Sequence, residues 1–180
     1  NGLRSANNYF TTSAGAYNVA TVTPTSAMPT VSSTLVLDAQ TQPGWTANPI
    51  IELRGDSAGA NINGLTLNAS NTILRGFTVN RFTGEGVFSS SGNSLTIQGN
   101  WIGVDAAGTT AAGNAKSGIW LSSASATGHT VGGTSATQRN VLSGNTGFEG
   151  VAINGGSGHT IQGNYIGTNA TASATIANGG

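Results

Sequence analysis

The chain has 180 residues, of which 28 are glycine and only 7% are charged, and its formal net charge is zero. This length fits one domain, and the many small residues favour a narrow, elongated core. Balanced charge offers no basic stripe to nucleic acid, no stretch approaches the roughly 20 apolar residues of a membrane helix, and the absence of cysteine excludes disulfides and thiolate chemistry. We therefore expect neither nucleic acid nor membrane insertion.

Residues 1–33 repeat less clearly than the rest of the chain. All four prolines lie between Pro24 and Pro49, before the regular repeats begin. Within a single domain of residues 1–180, this segment is predicted to cap the first coil or to dock onto another copy. Because the chain begins with Asn1 and has no charged-then-apolar leader, we expect it to be a processed product or an excerpt.

Residues 34–180 are predicted to form repeated coils of short strands. Helical spacing of apolar residues is nearly missing, whereas short alternations bounded by Gly, Asn and Ser recur throughout. The fold class is therefore all-β. The predicted strands are 34–38, 50–54, 65–68, 72–74, 77–79, 86–88, 95–98, 118–121, 140–142, 151–153 and 160–162.

A long internal repeat predicts how these strands stack. The segment GNWIG at 99–103 returns as GNYIG at 163–167, an offset of 64 residues (163 − 99), and TIQGN at 96–100 returns at 160–164. Such periodicity is typical of a single-chain right-handed parallel β-helix, a β-solenoid, whose hand follows the crossover rule. Strand alternation predicts the following inward-facing residues: Ile97, Ile102, Val131, Val141, Val151, Ile161 and Ile166.

Gly-Asn pairs follow several strands closely. Asn100, Asn145 and Asn164 lie where the chain must bend, and asparagine tolerates left-handed backbone conformations. Stacked coils would align some of these asparagines into a ladder of side-chain amides that satisfies buried turn groups. The alternative is three separate surface turns.

Three aromatic residues are candidate ligand or interface contacts. If Ile102 and Ile166 point inward, alternation turns Trp101 and Tyr165 outward, where a sugar or a protein could stack on them. Trp120 is the third candidate. The alternative for Trp101 is that the loop 104–114 folds over it.

The titratable residues give no strong sign of catalysis. The six acids are scattered, and Asp105 aligns with Asn169 one repeat later, which favours a turn. Arg75 and Arg139 are repeat-equivalent, so we expect them to bond turn carbonyls. His129 and His159 are expected to stack or to bond turns, since zinc needs three or four ligands. No catalytic residue, metal or cofactor is predicted.

A resemblance accompanies these repeats. The segments TQPGW at 41–45, IELRG at 51–55, QGNWIGVDAAGTTAAGN at 98–114, RNVLSGN at 139–145 and QGNYIGTN at 162–169 are similar to repeats of bacterial secreted and cell-surface right-handed parallel β-helix proteins. The likeness covers roughly residues 34–180. It implies the pectate-lyase-like fold and an extracellular or cell-surface location. That superfamily includes lyases, hydrolases, adhesins and stalks, so it leaves the activity open.

The expected function is a noncatalytic structural or adhesive β-solenoid, either a rigid stalk module or a fibre subunit. Its partners would be adjacent repeats of a longer chain or further copies of itself stacked end to end. The alternatives are a carbohydrate-active enzyme, a polysaccharide lyase or hydrolase, and a carbohydrate-binding module, for which surface glycans would be the partner.

Overall fold

The computed structural model describes residues 10–14 and 17–180. This part of the chain is built from short β-strands and two three-residue 3-10 helices, at Ala39–Thr41 and Ala136–Gln138. The strands are β1 Phe10–Ala14, β2 Tyr17–Val22, β3 Val36–Asp38, β4 Ile51–Arg54, β5 Leu65–Thr66, β6 Ile73–Arg75, β7 Phe77–Asn80, β8 Val87–Ser89, β9 Thr96–Gln98, β10 Trp101–Ile102, β11 Ile119–Leu121, β12 Thr130–Gly132, β13 Val141–Leu142, β14 Val151–Ile153, β15 Thr160–Gln162 and β16 Tyr165–Ile166.

The strands form three sheets in which successive coils stack in chain order. The seven-stranded sheet has the order β1-β2-β4-β7-β10-β13-β16, the four-stranded sheet β14-β11-β8-β5 and the five-stranded sheet β15-β12-β9-β6-β3. Strands pair in parallel throughout, apart from the antiparallel pair β1–β2. The protein is therefore all-β with three parallel sheets, an arrangement compatible with a parallel β-helix.

Apolar columns run through the interior from coil to coil. In the five-stranded sheet Leu74 pairs with Ile97, Ile97 with Val131 and Val131 with Ile161, at separations of 23, 34 and 30 residues (97 − 74, 131 − 97, 161 − 131). Leu74, Ile97 and Val131 are fully buried in the main core. The strands keep their register although the connections differ in length, because the extra residues go into loops.

Three of the predicted inward residues have other surroundings. Val141 is buried, but it pairs with Trp101 on the outer side of the seven-stranded sheet and belongs to a second cluster with Val104 and Ile176. The inward residue is its neighbour Leu142, so the inward assignment of Val141 is wrong. Ile161 and Ile166 continue inward columns, yet they are 47% and 48% exposed, because no described coil covers the last one.

The predicted strands overlap observed strands, and the sequence missed others. β10, β12 and β16 were not among the predicted strands, since each is only two or three residues long and closely follows a glycine turn or a polar residue. Of the proposed cap, residues 10–14 and 17–22 form the antiparallel pair at the end of the seven-stranded sheet. Residues 1–9 and 15–16 of that segment lie outside the described residues.

Candidate functional site

Asparagines of successive coils form a column at the turn that directly precedes β10, β13 and β16. We call such a turn, which recurs at the same place in successive coils, a corner. The Asn140 Oδ1 atom accepts hydrogen bonds from the Asn100 backbone N–H at 2.9 Å and from Asn100 Nδ2 at 3.2 Å. Asn164 Oδ1 does the same for Asn140, at 3.2 and 2.9 Å. Each side chain also donates to a carbonyl one coil earlier: Asn100 to Leu74, Asn140 to Ile97 and Asn164 to Val131.

A second corner repeats the same bonding with other asparagines. Asn145 Oδ1 accepts from Asn114 Nδ2 at 2.9 Å, and Asn178 Oδ1 accepts from Asn145 Nδ2 at 3.0 Å. The three asparagines selected from the sequence therefore do not form one column. Asn100 and Asn164 share the first column with Asn140, whereas Asn145 belongs to the second.

In these turns one residue takes the left-handed backbone conformation and the next residue supplies the side-chain hydrogen bonds. The positive φ falls on glycine, at 65° for Gly99, 76° for Gly144 and 66° for Gly163, and not on the asparagine that follows. Glycine adopts this conformation without the penalty that a Cβ atom brings. The asparagine therefore contributes its side chain, rather than tolerance of a left-handed backbone.

A third corner uses histidine in the same way. The rings of His129 and His159 stack with their centroids 4.7 Å apart. His129 Nδ1 accepts the Leu95 N–H at 3.3 Å, and His159 Nδ1 accepts the His129 N–H at 3.1 Å. Burial, and secondarily the neighbouring His159 ring, lower the pKa of His129. Both histidines therefore bond coil to coil through Nδ1 as the acceptor.

Trp101 lies under a loop and is not an open contact. Its side chain is 6% exposed and packs with Val104, Val141 and Ile176. The covering loop turns back at an antiparallel bridge between Val104 and Ala111. Asp105 holds this loop closed by accepting the N–H groups of Thr109 and Thr110 at 2.8 and 3.0 Å.

The loop that follows β16 repeats this arrangement one period later. Asn169 Oδ1 accepts the N–H groups of Ser173 and Ala174, as Asp105 does in the earlier loop. The Ala170 N–H donates to the Gly108 carbonyl at 2.9 Å, so the two loops stack on each other. The repeat equivalence of Asp105 and Asn169 is thus an equivalence of loop closure.

Tyr165 is half-buried, and an arginine side chain covers its ring. The Arg139 guanidinium lies 4.3 Å from the Tyr165 ring centroid, and its Nη1 donates to the tyrosine hydroxyl at 3.0 Å. Arg139 also donates to the Gly163 carbonyl at 2.9 Å. Arg75 differs, since its guanidinium faces Asp38 at 3.8 Å. The two arginines therefore have different partners despite their equivalence in sequence.

Trp120 is the candidate residue that lies on an open face. It pairs with Phe88 below and Ala152 above on the outer side of the four-stranded sheet, and its ring lies 5.5 Å from that of Phe88. Beside it is a cleft of about 490 Å³. The cleft is lined by Glu85, Lys116, Ser117, Trp120, Phe148, Glu149 and Ala152.

Two carboxylates one repeat apart and one lysine are the charged groups that line the cleft. Glu85 is 2% exposed, and its carboxylate accepts the Ser117 N–H at 2.6 Å and faces Lys116 Nζ at 3.9 Å. Burial raises the pKa of Glu85, opposed by the Ser117 hydrogen bond and by Lys116, while the charge of Glu149 raises it further. Glu149 itself is exposed.

Sequence reasoning missed this cleft and half of the asparagines. Glu85 and Glu149 are equivalent in the 64-residue repeat (149 − 85), but nothing local marks them as neighbours of Trp120. Gly113-Asn114 is the same dipeptide that selected the other asparagines, so it could have been found. Asn140 follows an arginine, and only its place before a strand signals its role.

The buried acid of the seven-stranded sheet has structural partners. Glu52 accepts hydrogen bonds from Thr21 at 2.7 Å and Asn80 at 2.8 Å, and lies 3.6 Å from Arg81. Within residues 10–14 and 17–180, no three His, Asp or Glu side chains come together as metal ligands. In the same part of the chain no helix is long and apolar enough to cross a membrane.

Compared with known proteins, the chain matches no family model, no curated protein and no solved structure. The likeness to secreted β-helix proteins therefore stays a resemblance. The features that bear on function are the hydrogen-bonded corners, the loop-covered outer face of the seven-stranded sheet and the cleft beside Trp120.

Proposed function

We propose that this chain is a noncatalytic, extracellular structural or adhesive β-solenoid that acts as a rigid stalk module or a fibre subunit of a bacterial surface. The coils are right-handed, as the crossover rule favours for parallel strands, and of the pectate-lyase-like kind. The observation that carries the proposal is the bonding of the polar corners. The columns that contain Asn140, Asn145 and His129 bond each coil to the next.

The use of the acidic side chains supports a structural role. Asp38 caps a 3-10 helix, Asp56 pairs with Arg54, and Asp105 closes a loop. Glu52 and Glu85 are buried and bonded. A hydrolase needs two carboxyl groups free to reach one substrate, about 5 to 10 Å apart, whereas five of these six acids already bond the protein.

Small-angle X-ray scattering and a cleavage assay together test this proposal. Scattering from the purified chain should fit one rigid particle with the dimensions of the stacked coils. Incubation with pectate and polygalacturonate should release neither unsaturated products nor new reducing ends. Cleavage that Glu149→Gln abolishes would overturn the noncatalytic proposal.

A second candidate, glycan binding or cleavage, is favoured by the cleft beside Trp120. An indole face next to carboxylates suits a sugar ring, which offers C–H groups to the ring and hydroxyls to the acids. Glu85 and Glu149 lie two coils apart, roughly 10 Å at the usual strand spacing, and the raised pKa of Glu85 suits a general acid. Against cleavage, the Glu85 carboxylate is bonded by Ser117 and Lys116.

A glycan array separates the two candidates. Binding that Trp120→Leu removes, with no cleavage, supports a carbohydrate-binding module. Trp101→Phe is the matched control, because Trp101 lies under its loop and a glycan cannot reach it. No binding above background leaves the structural role as the function of this face.

A further inference from the structure

At the end of the stack formed by β14, β15 and β16, strand edges are unpaired and apolar side chains are exposed. These three strands are the last of their sheets, and within the described residues no strand pairs with their outer edges. Ile161 and Ile166 are about half exposed there, although the residues below them in the same columns, such as Val131 and Leu142, are fully buried. Pairing and burial thus stop at this face together.

The hydrogen bonds at the corners indicate which side chains a further coil would need in order to extend each column. In each column the backbone N–H of one coil donates to the side chain of the next: Asn140 to Asn164, Asn145 to Asn178, and His129 to His159. In the part of the chain that the structure describes, no side chain accepts from the backbone N–H of Asn164, Asn178 or His159 in turn. A matching coil therefore needs a side-chain acceptor at all three corners.

A fourth group, the carboxylate of Glu149, would need a hydrogen-bond donor from the next coil. Glu85 accepts the backbone N–H of Ser117, which lies one coil later. Glu149 occupies the place of Glu85 one repeat later, and its carboxylate is exposed. A backbone N–H placed like that of Ser117 would bond it, and would relieve the uncompensated acceptor as the next coil covers it.

The first coil of this chain does not fit these requirements. In the seven-stranded sheet its outermost strand is β1, which pairs with β2 in antiparallel orientation. Behind β1, the first-corner column runs from Ala20 through Ile51 to Phe77 before the asparagines begin. Alanine has no acceptor for the Asn164 N–H. Docking of the amino-terminal end of a second copy would place an antiparallel strand against β16, and this column would offer no side-chain acceptor to the Asn164 N–H.

We propose that this end face binds a parallel β-coil with acceptor side chains at three corners, the kind represented in this chain by residues 117–148. That segment carries His129, Asn140 and Asn145 at the required places, and the Ser117 N–H at the fourth. In a fusion that keeps the 64-residue register, a copy of this segment follows Gly180 without a gap, since 117 + 64 is 181. The proposal rests on the structural role above and selects an asparagine-bearing repeat, rather than the first coil of another copy, as the neighbour.

The test appends one coil to the full chain. Residues 117–148 are fused after Gly180, and amide hydrogen exchange is followed by NMR at Asn164, Asn178 and His159. We expect exchange at all three amides to slow by at least about tenfold relative to the parent chain. The methyl signals of Ile161 and Ile166 should shift as these side chains become buried.

Two matched fusions make the test specific. In the first, the appended coil carries His129→Ala, Asn140→Ala and Asn145→Ala; in the second, residues 17–50 replace it. Slow exchange in the native fusion and fast exchange in both controls supports the proposal. Equal protection by the alanine coil would overturn it, because strand pairing alone would then suffice.

Self-association is a separate outcome. If exchange at Asn164, Asn178 and His159 in the parent chain slows as protein concentration rises, or if the 17–50 fusion protects them equally, a second copy is the occupant and the proposal is overturned. The structural role is tested independently by particle shape and glycan cleavage, so it survives failure of this inference.

Discussion

The outer faces of the seven-stranded and four-stranded sheets follow the same strand alternation and have opposite fates. On the seven-stranded sheet the outward residues Trp101 and Val141 are buried under loops. On the four-stranded sheet the outward residues Phe88 and Trp120 remain partly exposed, and Trp120 lines a cleft. Alternation decides which side of a strand a residue takes, and loop length decides whether that side meets water.

The first test compares the two tryptophans, and it should give the largest effect. Trp101→Ala removes a fully packed indole and leaves a cavity, so it should lower the free energy of unfolding by about 3–5 kcal/mol. Trp120→Ala should lower it by only about 1 kcal/mol, because part of that ring already faces water. Urea denaturation measures both. Equal losses would mean that the face of the four-stranded sheet is covered in solution.

The two faces also differ in their acids. Glu52→Ala should cost about 2–3 kcal/mol of unfolding free energy, since it leaves the buried groups of Thr21 and Asn80 without their acceptor. Glu149→Ala should change stability by less than about 0.5 kcal/mol, as for most surface substitutions. Thermal unfolding of both variants provides the comparison. A large loss at Glu149 would show a structural bond on the open face.

Opening the loop closed by Asp105 should expose Trp101 on the outer face of the seven-stranded sheet, as Trp120 is partly exposed on the four-stranded sheet. Asp105→Ala removes the acceptor of two loop N–H groups, at a cost of about 1 kcal/mol. In a chain whose other tryptophans are replaced by Phe, acrylamide should then quench Trp101 more strongly. Asp56→Ala is the matched control, because it removes an exposed aspartate that pairs with Arg54 and not with the loop. Unchanged quenching would mean that packing alone keeps the loop closed.

The smallest effect concerns pH at the histidine corner, which lies between the four-stranded and five-stranded sheets. Because the folded state lowers the pKa of His129, the unfolded chain binds more protons below about pH 6.5, and stability should fall as pH drops through that value. His129→Asn keeps an acceptor for the Leu95 N–H but does not titrate. The raised pKa of Glu85 acts in the opposite sense, since it favours the folded state as pH falls toward its usual range.

Denaturation at pH 7.5 and pH 5.5 measures this effect. The parent chain should be less stable at the lower pH, and the difference should shrink in His129→Asn. The same loss in both proteins would contradict a role for His129 and would direct attention to other titrating groups.

Sequence alone predicted the parts of the fold that depend on local alternation. The recurrence of TIQGN placed Ile97 inward, and the structure buries it completely. It missed that Val141 faces outward, because Val141 takes the place of Trp101, and Asn140 that of Asn100, in the next coil. The burial of Trp101 depends on a loop whose path is set by contacts between coils.

The candidate site was still less visible in the sequence. The sequence analysis named Trp120 as a candidate contact, but its acidic neighbours are 35 and 29 residues away (120 − 85, 149 − 120). Only the stacking register brings them to one cleft. Residues that meet through register and not through proximity in the chain leave no local pattern, which is why Glu85 was assigned no role.

The corner asparagines also determine how the molecule would carry a mechanical load. The side chain of Asn140 bonds Asn100 and the Ile97 carbonyl in one neighbouring coil and Asn164 in the other. A pull along the stacking direction must break these bonds together with the strand pairing of three sheets, coil by coil. We therefore expect tension to be borne as a series of equal steps, with no soft joint between the coils that asparagine connects.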